Sequence, residues 1–261
     1  MDASRIEALG DELYQALRSR TPVAPITERE PGVTIDDAYF ISRRLLERRL
    51  ADGERVVGKK IGVTSKAVQR MLGVYQPDFG YLTDVMRCEN GGEMPISSRF
   101  IQARAEGELA FVLGRDLRGP GVTEADVLRA TEAVAPCFEI VDSRIRDWKI
   151  KIEDTIADNA SSGMFVLGDA RVPPADVDFT FCGMIVEKNG EIISTGCGAA
   201  ALGSPLTCVA WLANTLGKWG IPLSAGEIVL SGSLVPLEKV EPGDRMRVRI
   251  GGVGQAEVTF T

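Results

Sequence analysis

Two glutamates, Glu106 and Glu108, begin an apolar run within residues 104–113. The second half of this run is rich in strand-forming residues, and residues two apart in a strand share a face. Both carboxylates are therefore predicted to point the same way, about 7 Å apart along the backbone. Like charges this close repel each other unless a positive group lies between them. A hard divalent cation is the simplest such group, because Mg²⁺ and Mn²⁺ prefer carboxylate oxygens.

A third glutamate, Glu139, stands inside the apolar segment 137–141. A charge there is costly unless it is paired or bound to an ion. The small apolar residues Ala110 and Val112 follow the first two glutamates on the same predicted face, which indicates that this face is partly buried. The alternative is a solvated strand face. Three carboxylates on one octahedral ion would leave positions for water and a substrate.

Three further polar residues could act beside such a site. Lys59 and Lys60 are adjacent in a predicted strand, so they point to opposite faces and only one is expected to be exposed. Lys60 is then either a surface lysine or a group that binds an anionic substrate or moves a proton. Asp78 is ordinarily a turn residue, and becomes a general-base candidate if its loop folds over the metal. Ser161 belongs to a polar segment, 158–163, that either could hold a carboxylate or is a plain loop.

The composition excludes several kinds of chemistry. The chain has 261 residues and no histidine, so one chain cannot build a Ser-His-Asp triad, a Cys-His dyad or a histidine-rich zinc site. Chemistry near neutral pH must use carboxylates, lysine, tyrosine, cysteine or water on a metal. The net charge of −7 gives no reason to expect nucleic acid or an anionic membrane as a partner.

The cysteines and the N-terminus suggest a cytoplasmic protein. The five cysteines form no CxxC pair, and we interpret them as reduced and mostly buried thiols. The first residues lack the apolar region of a signal peptide. No membrane span is expected, since a span needs roughly 20 apolar residues.

The pattern of elements divides the chain near residue 55. Ser4 and Glu7 match a capping box before a helical stripe, and Thr34 caps a second helix that stops near Gly53. We therefore predict an N-terminal helical subdomain, residues 1–55. Residues 56–261 show many short strands, with helices expected at 65–72, 123–135 and 205–216 and an Asn189-Gly190 hairpin turn. This favours an α+β fold with a mixed β-roll or barrel as the catalytic domain.

Five segments together resemble the hydratase/decarboxylase family of aromatic meta-cleavage pathways, part of the fumarylacetoacetate hydrolase superfamily. They are residues 58–65, 76–82, 104–108, 139–144 and 157–162, and the resemblance extends over essentially the whole chain. It implies a β-roll of the fumarylacetoacetate hydrolase type. The site that it implies has Mg²⁺ or Mn²⁺ on Glu106, Glu108 and Glu139, catalysis by Lys60 and Asp78, and substrate binding by Lys60 and Ser161.

The same resemblance implies a metal-dependent lyase. It would add water to 2-hydroxypenta-2,4-dienoate and give 4-hydroxy-2-oxopentanoate, with the metal polarising the 2-keto form of the substrate. The family also contains 4-oxalocrotonate decarboxylases, which are similar but have an apolar residue at the position of Asp78, so decarboxylation is the alternative. A non-catalytic partner subunit is the other. The resemblance further implies a homo-oligomer and a possible complex with the decarboxylase.

Overall fold

Helices predominate before residue 55 and strands after it. The computed structural model describes the backbone of residues 1–261 and every side chain except those of Met71 and Leu72. The helices are α1 (Ala3–Ser19), α2 (Ile26–Arg29), α3 (Ile35–Ala51), α4 (Lys66–Leu72), α5 (Ile96–Arg99), α6 (Glu124–Ala130), α7 (Ile152–Ala157) and α8 (Pro205–Gly217). The strands are β1 (Val56–Gly62), β2 (Asp78–Thr83), β3 (Arg87–Cys88), β4 (Glu93–Met94), β5 (Arg104–Leu113), β6 (Thr131–Val141), β7 (Ser162–Leu167), β8 (Gly183–Lys188), β9 (Glu191–Cys197), β10 (Ile228–Leu230), β11 (Glu238–Lys239), β12 (Arg245–Ile250) and β13 (Gly254–Phe260). The predicted α+β class agrees with this content.

The two long N-terminal helices begin at side-chain caps. The predicted Ser4 cap is wrong, because the helix is capped two residues earlier, where the Asp2 carboxylate accepts the backbone N–H of Arg5 at 2.8 Å. An aspartate satisfies that free N–H as well as a serine does, and the sequence pattern does not separate the two. The second cap is confirmed, since Thr34 and Asp37 form a capping box at the start of α3.

The N-terminal helices share a core with a helix from much later in the chain. Leu13 of α1 and Ile41 of α3 lie in one apolar cluster with Ile152 and Ile156 of α7. All four are buried. Through this packing, α1 and α3 contact α7, which directly precedes the segment that carries Ser161. The division into residues 1–55 and 56–261 stays a prediction, although β1 does begin at Val56.

Two sheets form the body of the fold. The larger has the order β2-β1-β10-β5-β6-β7-β3, with β11 also pairing with β5, and the smaller has the order β4-β13-β12-β8-β9. On β5, Leu109 and Phe111 face the main core that the sheets share. Ala110, on the other face, packs in a separate apolar cluster. A Cβ at Gly107 would lie 2.7 Å from Met184 Sδ, so the sheets approach closely there and the opposite face of β5 is left for the site.

The predicted helix at 123–135 is wrong in its second half. The helix α6 ends at Ala130, and β6 begins at the next residue. Residues 131–135 instead pair with β5, as in the register of Ala133 with Val112. Pairing along a long buried strand outweighs the local helix pattern of this segment. The Asn189-Gly190 turn is confirmed, with φ of 55° and 89° as a type I′ turn requires.

The segment Gly198–Gly217 has the length and composition of a membrane-spanning helix, which the sequence analysis did not anticipate. It has 20 residues, a mean hydropathy of 1.2 and 56% of its window buried inside the protein. Leu212 and Leu216 of α8 are fully buried in the main core. The apolar composition of this segment therefore matches the packing of a core helix.

The cysteines agree with the sequence-based expectation. All five are free thiols. Cys137, Cys182 and Cys208 are buried, and Cys88 and Cys197 are partly exposed.

Candidate active site

Strand register brings the three predicted carboxylates together. Glu106 on β5 lies directly opposite Glu139 on β6, and Glu108 follows two residues along the same face. One carboxylate oxygen from each lies within 4.8 Å of the others. Glu108 and Glu139 are 0% exposed and Glu106 is half-buried. The prediction of a shared, partly buried face is confirmed, and the alternative of a solvated face is wrong.

These carboxylates are short of hydrogen-bond partners. Glu108 accepts the backbone N–H of Gly232 at 2.8 Å, but its other oxygen and both oxygens of Glu139 have no hydrogen bond among the described residues. Burial, together with repulsion from Glu139, raises the pKa of Glu106 to about 8. Burial also raises the pKa of Glu108 and Glu139. Mutually repelling carboxylates that are so short of hydrogen bonds fit a divalent cation, which would satisfy all three groups at once.

Lys60 reaches the same group of carboxylates from β1. Its Nζ lies 3.3 Å from Glu139 Oε1. Burial opposes the charge on Lys60, but attraction to Glu139 and the other nearby carboxylates outweighs it and raises the pKa of the lysine. The expectation that one of the two adjacent lysines would be exposed is wrong, since Lys59 and Lys60 are each 3% exposed. Both faces of β1 are covered, and Lys59 pairs on the other side with Glu227 at 2.6 Å.

Asp78 is the first residue of β2 and not a turn residue. It lies opposite Gly62 of β1 and is 1% exposed, so a strand and not a folded-over loop positions it. A Cβ at Gly62 would lie 2.3 Å from Asp78 Oδ1 and 3.4 Å from Lys60 Nζ. Burial raises the pKa of Asp78, and the charge on Lys60 partly offsets this rise. The Asp78 carboxylate and the Lys60 ammonium group therefore lie close together, next to the Gly62 backbone.

The substitution Gly62→Ala is expected to lower kcat by about 10²-fold, since even a 1 Å displacement of a catalytic group has an effect of this size. The added methyl group would displace the Asp78 carboxylate without touching the three glutamates. Steady-state kinetics together with a Mn²⁺ titration check this. Gly183→Ala is the matched control, because a Cβ at this strand glycine meets no atom within 4 Å. An unchanged kcat for Gly62→Ala would contradict the assigned geometry.

Ser161 lies on a strained turn that is held from two sides. Asn159, Ala160 and Ser161 all have left-handed backbone, with φ of 53°, 50° and 54°, a conformation that costs each residue about 1–3 kcal/mol. The Asn159 side chain accepts the N–H of Tyr81 at 2.7 Å and donates to its carbonyl at 3.0 Å. Such strain persists only where the surroundings enforce it, so the position of Ser161 is closely defined.

Arg144 holds the other side of this turn. Its guanidinium forms a buried ion pair with Asp158 and donates to the carbonyl oxygens of Asp158 and Ser162. Asp158 therefore has a structural partner and does not face a substrate. No role was predicted for Arg144 from the sequence, although it ends one of the segments that resemble the family. Its local signal is a charged residue close behind an apolar strand, and the partner that explains it stands 14 residues later.

The substitution Arg144→Met is expected to destabilise the protein by about 3–5 kcal/mol, because it leaves the Asp158 carboxylate buried and unpaired. Urea denaturation followed by circular dichroism measures this difference. Arg146→Met, at an exposed position nearby, should change the free energy of unfolding by less than about 0.5 kcal/mol. Equal stabilities of the two variants would show that the buried ion pair does not hold the turn.

One cavity of about 690 Å³ joins these groups. Lys60, Asp78, Glu106 and Ser161 line it, with Glu108 and Glu139 buried next to Glu106. Its apolar lining residues include Val63, Val68, Ile150, Leu234, Val235 and Leu237. The structure thus places every predicted site residue in or beside one cavity. This mixed lining suits a small molecule that has both an anionic, oxygen-rich group and a short hydrocarbon part.

Comparisons with known proteins agree with this site. The family model of the fumarylacetoacetate (FAA) hydrolase C-terminal region matches residues 82–261. The chain is 68% identical to a 2-hydroxypent-2,4-dienoate hydratase of Pseudomonas putida over 221 residues, which are 85% of this chain and 100% of that protein. It is 56% identical to a 2-hydroxyhexa-2,4-dienoate hydratase of Comamonas testosteroni over 261 residues, 100% of this chain and 99% of that protein.

A solved structure shares the entire fold. It is a 4-oxalocrotonate decarboxylase from Pseudomonas putida G7 complexed with magnesium and adipate, and its TM-score to this chain is 0.97 at 34% identity. The superposition covers 100% of this chain and 99% of that one. The predicted fold of the fumarylacetoacetate hydrolase type is confirmed. The chain therefore belongs to the fumarylacetoacetate hydrolase family, within its group of 2-hydroxydienoate hydratases.

Proposed function

We propose that this chain is a metal-dependent hydro-lyase that adds water to 2-hydroxypenta-2,4-dienoate, the enol form of 2-keto-4-pentenoate, in the meta-cleavage degradation of aromatic compounds. One observation carries the proposal. Three clustered carboxylates, two of them fully buried with oxygens that make no hydrogen bond among the described residues, lie beside Lys60 and Asp78 at a cavity that also has apolar lining residues. The substrate is inferred from the similar proteins, which are hydratases of 2-hydroxypent-2,4-dienoate and 2-keto-4-pentenoate.

Glu106, Glu108 and Glu139 would hold the metal, which we propose to be Mg²⁺ or Mn²⁺. The oxygen-only donor set fits either of these hard cations. When bound, the cation supplies Lewis acidity at the carboxylate and 2-oxygen of the substrate. The oxygens of Glu108 and Glu139 that make no hydrogen bond among the described residues are the structural support for this assignment.

Lys60 and Asp78 are the groups placed to move protons. After the enol has become the conjugated ketone, the oxygen of water bonds to C4 of the substrate and a proton is added at C3. Asp78, with an unpaired buried oxygen, takes the proton from the attacking water. Lys60, charged by its surroundings, binds the anionic substrate and returns a proton. Together these transfers produce 4-hydroxy-2-oxopentanoate.

Ser161 has the role of a hydrogen-bond donor to the substrate. It lines the cavity, and its Oγ makes two long hydrogen bonds, 3.5 Å to Asp158 Oδ2 and 3.5 Å to Thr155 Oγ1, which a stronger hydrogen bond to a ligand could replace. The left-handed turn that carries it limits the positions it can take. A fixed donor orients a small substrate at little cost in entropy.

The assembly of the protein is also a proposal. We propose a homo-oligomer in the cytoplasm, with the helical residues 1–55 as a subdomain and a possible complex with the decarboxylase that acts one step earlier. Size-exclusion chromatography with light scattering, alone and with that decarboxylase, tests both associations. A protein that is monomeric and does not bind the decarboxylase would contradict both proposals.

Product analysis tests the reaction. Synthetic 2-hydroxypenta-2,4-dienoate is incubated with the protein and Mg²⁺ or Mn²⁺ in D₂O, and NMR should show 4-hydroxy-2-oxopentanoate with deuterium at C5, from formation of the conjugated ketone, and at C3, from the addition of water. Chelation with EDTA should stop turnover, and either cation should restore it. A parallel incubation with 4-oxalocrotonate should release little CO₂. Rapid CO₂ release without hydration would favour a decarboxylase, and inactivity on both substrates would favour a non-catalytic subunit.

A further inference from the structure

Arg104 lines the same cavity as Glu106 of the proposed metal site, and neither the metal site nor the proton transfers proposed above use it. It precedes Glu106 by two residues on β5, so the two side chains lie on one face of the strand. Arg104 and Glu106 both line the cavity of about 690 Å³. Arg104 also lines an adjoining open cavity of about 780 Å³. It therefore lies where the site opens towards solvent.

The guanidinium of Arg104 has free donors. Among the described residues, no hydrogen bond or ion pair uses its side chain, whereas Arg49 and Arg144 each hold a buried carboxylate. The guanidinium lies over the ring of Trp148, whose centroid is 5.0 Å from Arg104 Cζ. A guanidinium that stacks on an aromatic face keeps its edge, and all five N–H donors, for a ligand in the plane.

The fold holds Trp148 in place at a cost in backbone energy. Asp147 and Trp148 both have left-handed backbone, with φ of 58° and 55°. Two such residues in a row cost about 2–6 kcal/mol together. The indole N–H donates to the carbonyl of Gln102 at 3.1 Å, which fixes the ring over Arg104. Strain of this kind clusters at ligand-binding positions.

The chemistry of a 2-oxo acid matches this arrangement. Such an acid offers a divalent cation one carboxylate oxygen and its 2-oxygen, and its second carboxylate oxygen needs another partner. Arginine is the side chain best suited to bind a carboxylate. Lys60 and Asp78 lie on β1 and β2, whereas Arg104 lies on β5, with β10 between. A carboxylate held at Arg104 would leave the reacting carbons free to point towards the lysine–aspartate pair.

We propose that Arg104, oriented by Trp148, binds the carboxylate of the substrate and thereby sets which end of the substrate faces Lys60 and Asp78. This inference rests on the proposed function for the identity of the substrate. It adds a binding residue that determines orientation, and it makes Trp148 a positioning residue for that arginine.

The test compares two ligands that differ in one charge. Calorimetry on the Mn²⁺-loaded protein measures the affinity for 2-oxopentanoate and for 2-oxopentanamide, which lacks the carboxylate. Arg104→Met should reduce the preference for the acid over the amide by about 10- to 100-fold, the range of a hydrogen bond to a charged group. Arg104→Lys should keep part of the preference, and Trp148→Leu should lower it less than Arg104→Met does. Arg146→Met, an exposed arginine close by, should leave the preference as it is.

The affinity for Mn²⁺ itself should not change in the Arg104 variants. Circular dichroism is used to check that these variants are folded. A preference that survives Arg104→Met would overturn the inference, as would a parent protein that does not bind 2-oxopentanoate. A third ligand, 2-oxoadipate, tests the other possible use of the arginine. If only 2-oxoadipate lost affinity, Arg104 would bind a carboxylate at the far end of a substrate, and the inference would be wrong.

The two proposals can fail separately. If the parent protein hydrates the dienoate, but its preference for 2-oxopentanoate over 2-oxopentanamide does not depend on Arg104, only the inference is contradicted. A parent protein that binds 2-oxopentanoate through Arg104 but leaves the dienoate unchanged contradicts the proposed function alone.

Discussion

Glu108→Gln is expected to remove tight binding of Mg²⁺ and Mn²⁺ and to lower kcat/KM by at least about 10³-fold, because the cation both binds and activates the substrate. The fold should survive. The amide oxygen of the introduced glutamine can still accept the N–H of Gly232, which the Glu108 carboxylate accepts at 2.8 Å. What is lost is one of the carboxylates that a cation would neutralise.

Thermal unfolding distinguishes this result from simple damage to the fold. Mn²⁺ should raise the Tm of the parent protein, since a ligand that binds the folded state stabilises it. Mn²⁺ should leave the Tm of Glu108→Gln nearly unchanged. Without metal the variant should be at least as stable as the parent, because it has one fewer buried carboxylate beside Glu139. Glu132→Gln, at an exposed position of β6, is the matched control and should respond to Mn²⁺ as the parent does.

Equal Tm increases in the parent and in Glu108→Gln would remove Glu108 from the proposed set of ligands. A metal-free variant much less stable than the metal-free parent would indicate a structural role for this carboxylate.

Lys60→Met is expected to lower kcat by about 10²–10⁴-fold, the usual range for a group that transfers a proton. The neighbouring Lys59→Met is a closely matched control. Both lysines lie on β1 with 3% exposure, and each forms an ion pair with a glutamate, Lys59 with Glu227 and Lys60 with Glu139. They differ chiefly in the face of the strand on which they lie.

Both lysine variants should lose stability, because each leaves a glutamate without its partner. Only Lys60→Met should lose turnover when the two are compared below their unfolding temperatures, as shown by circular dichroism. Stopped-flow absorbance of the dienoate measures the rate. If Lys59→Met were as slow as Lys60→Met, the loss would report damage to β1, and the proton-transfer role of Lys60 would be abandoned.

The candidate ligands were accessible from sequence because their evidence is local. Glu106 and Glu108 are two residues apart, and the alternation of a strand puts them on one face whatever the rest of the fold does. Glu139 stood out as a charge inside an apolar segment. Arg104 carried the same signal as Glu106, since it is two residues before it, but a single arginine at the start of a strand is too common to indicate a ligand.

The family resemblance extended this local evidence to the whole chain. It correctly implied the fold and the group of hydratases, which the relatives and the decarboxylase structure confirm. The roles of Lys60, Asp78 and Ser161 stay predictions. The structure places these residues at one cavity, which is what those roles require.

The sequence by itself determined which residues could do chemistry, because residue type, strand alternation and the lack of histidine are properties of short segments and of composition. Only the tertiary structure decided how they meet. Lys60 reaches Glu139 because β10, from much later in the chain, pairs with β1 and β5 and lies between them. Asp78 fits beside Lys60 because Gly62, opposite it, has no side chain. Such contacts depend on strand order and register, which are set by packing of the whole core and leave little trace in any one segment.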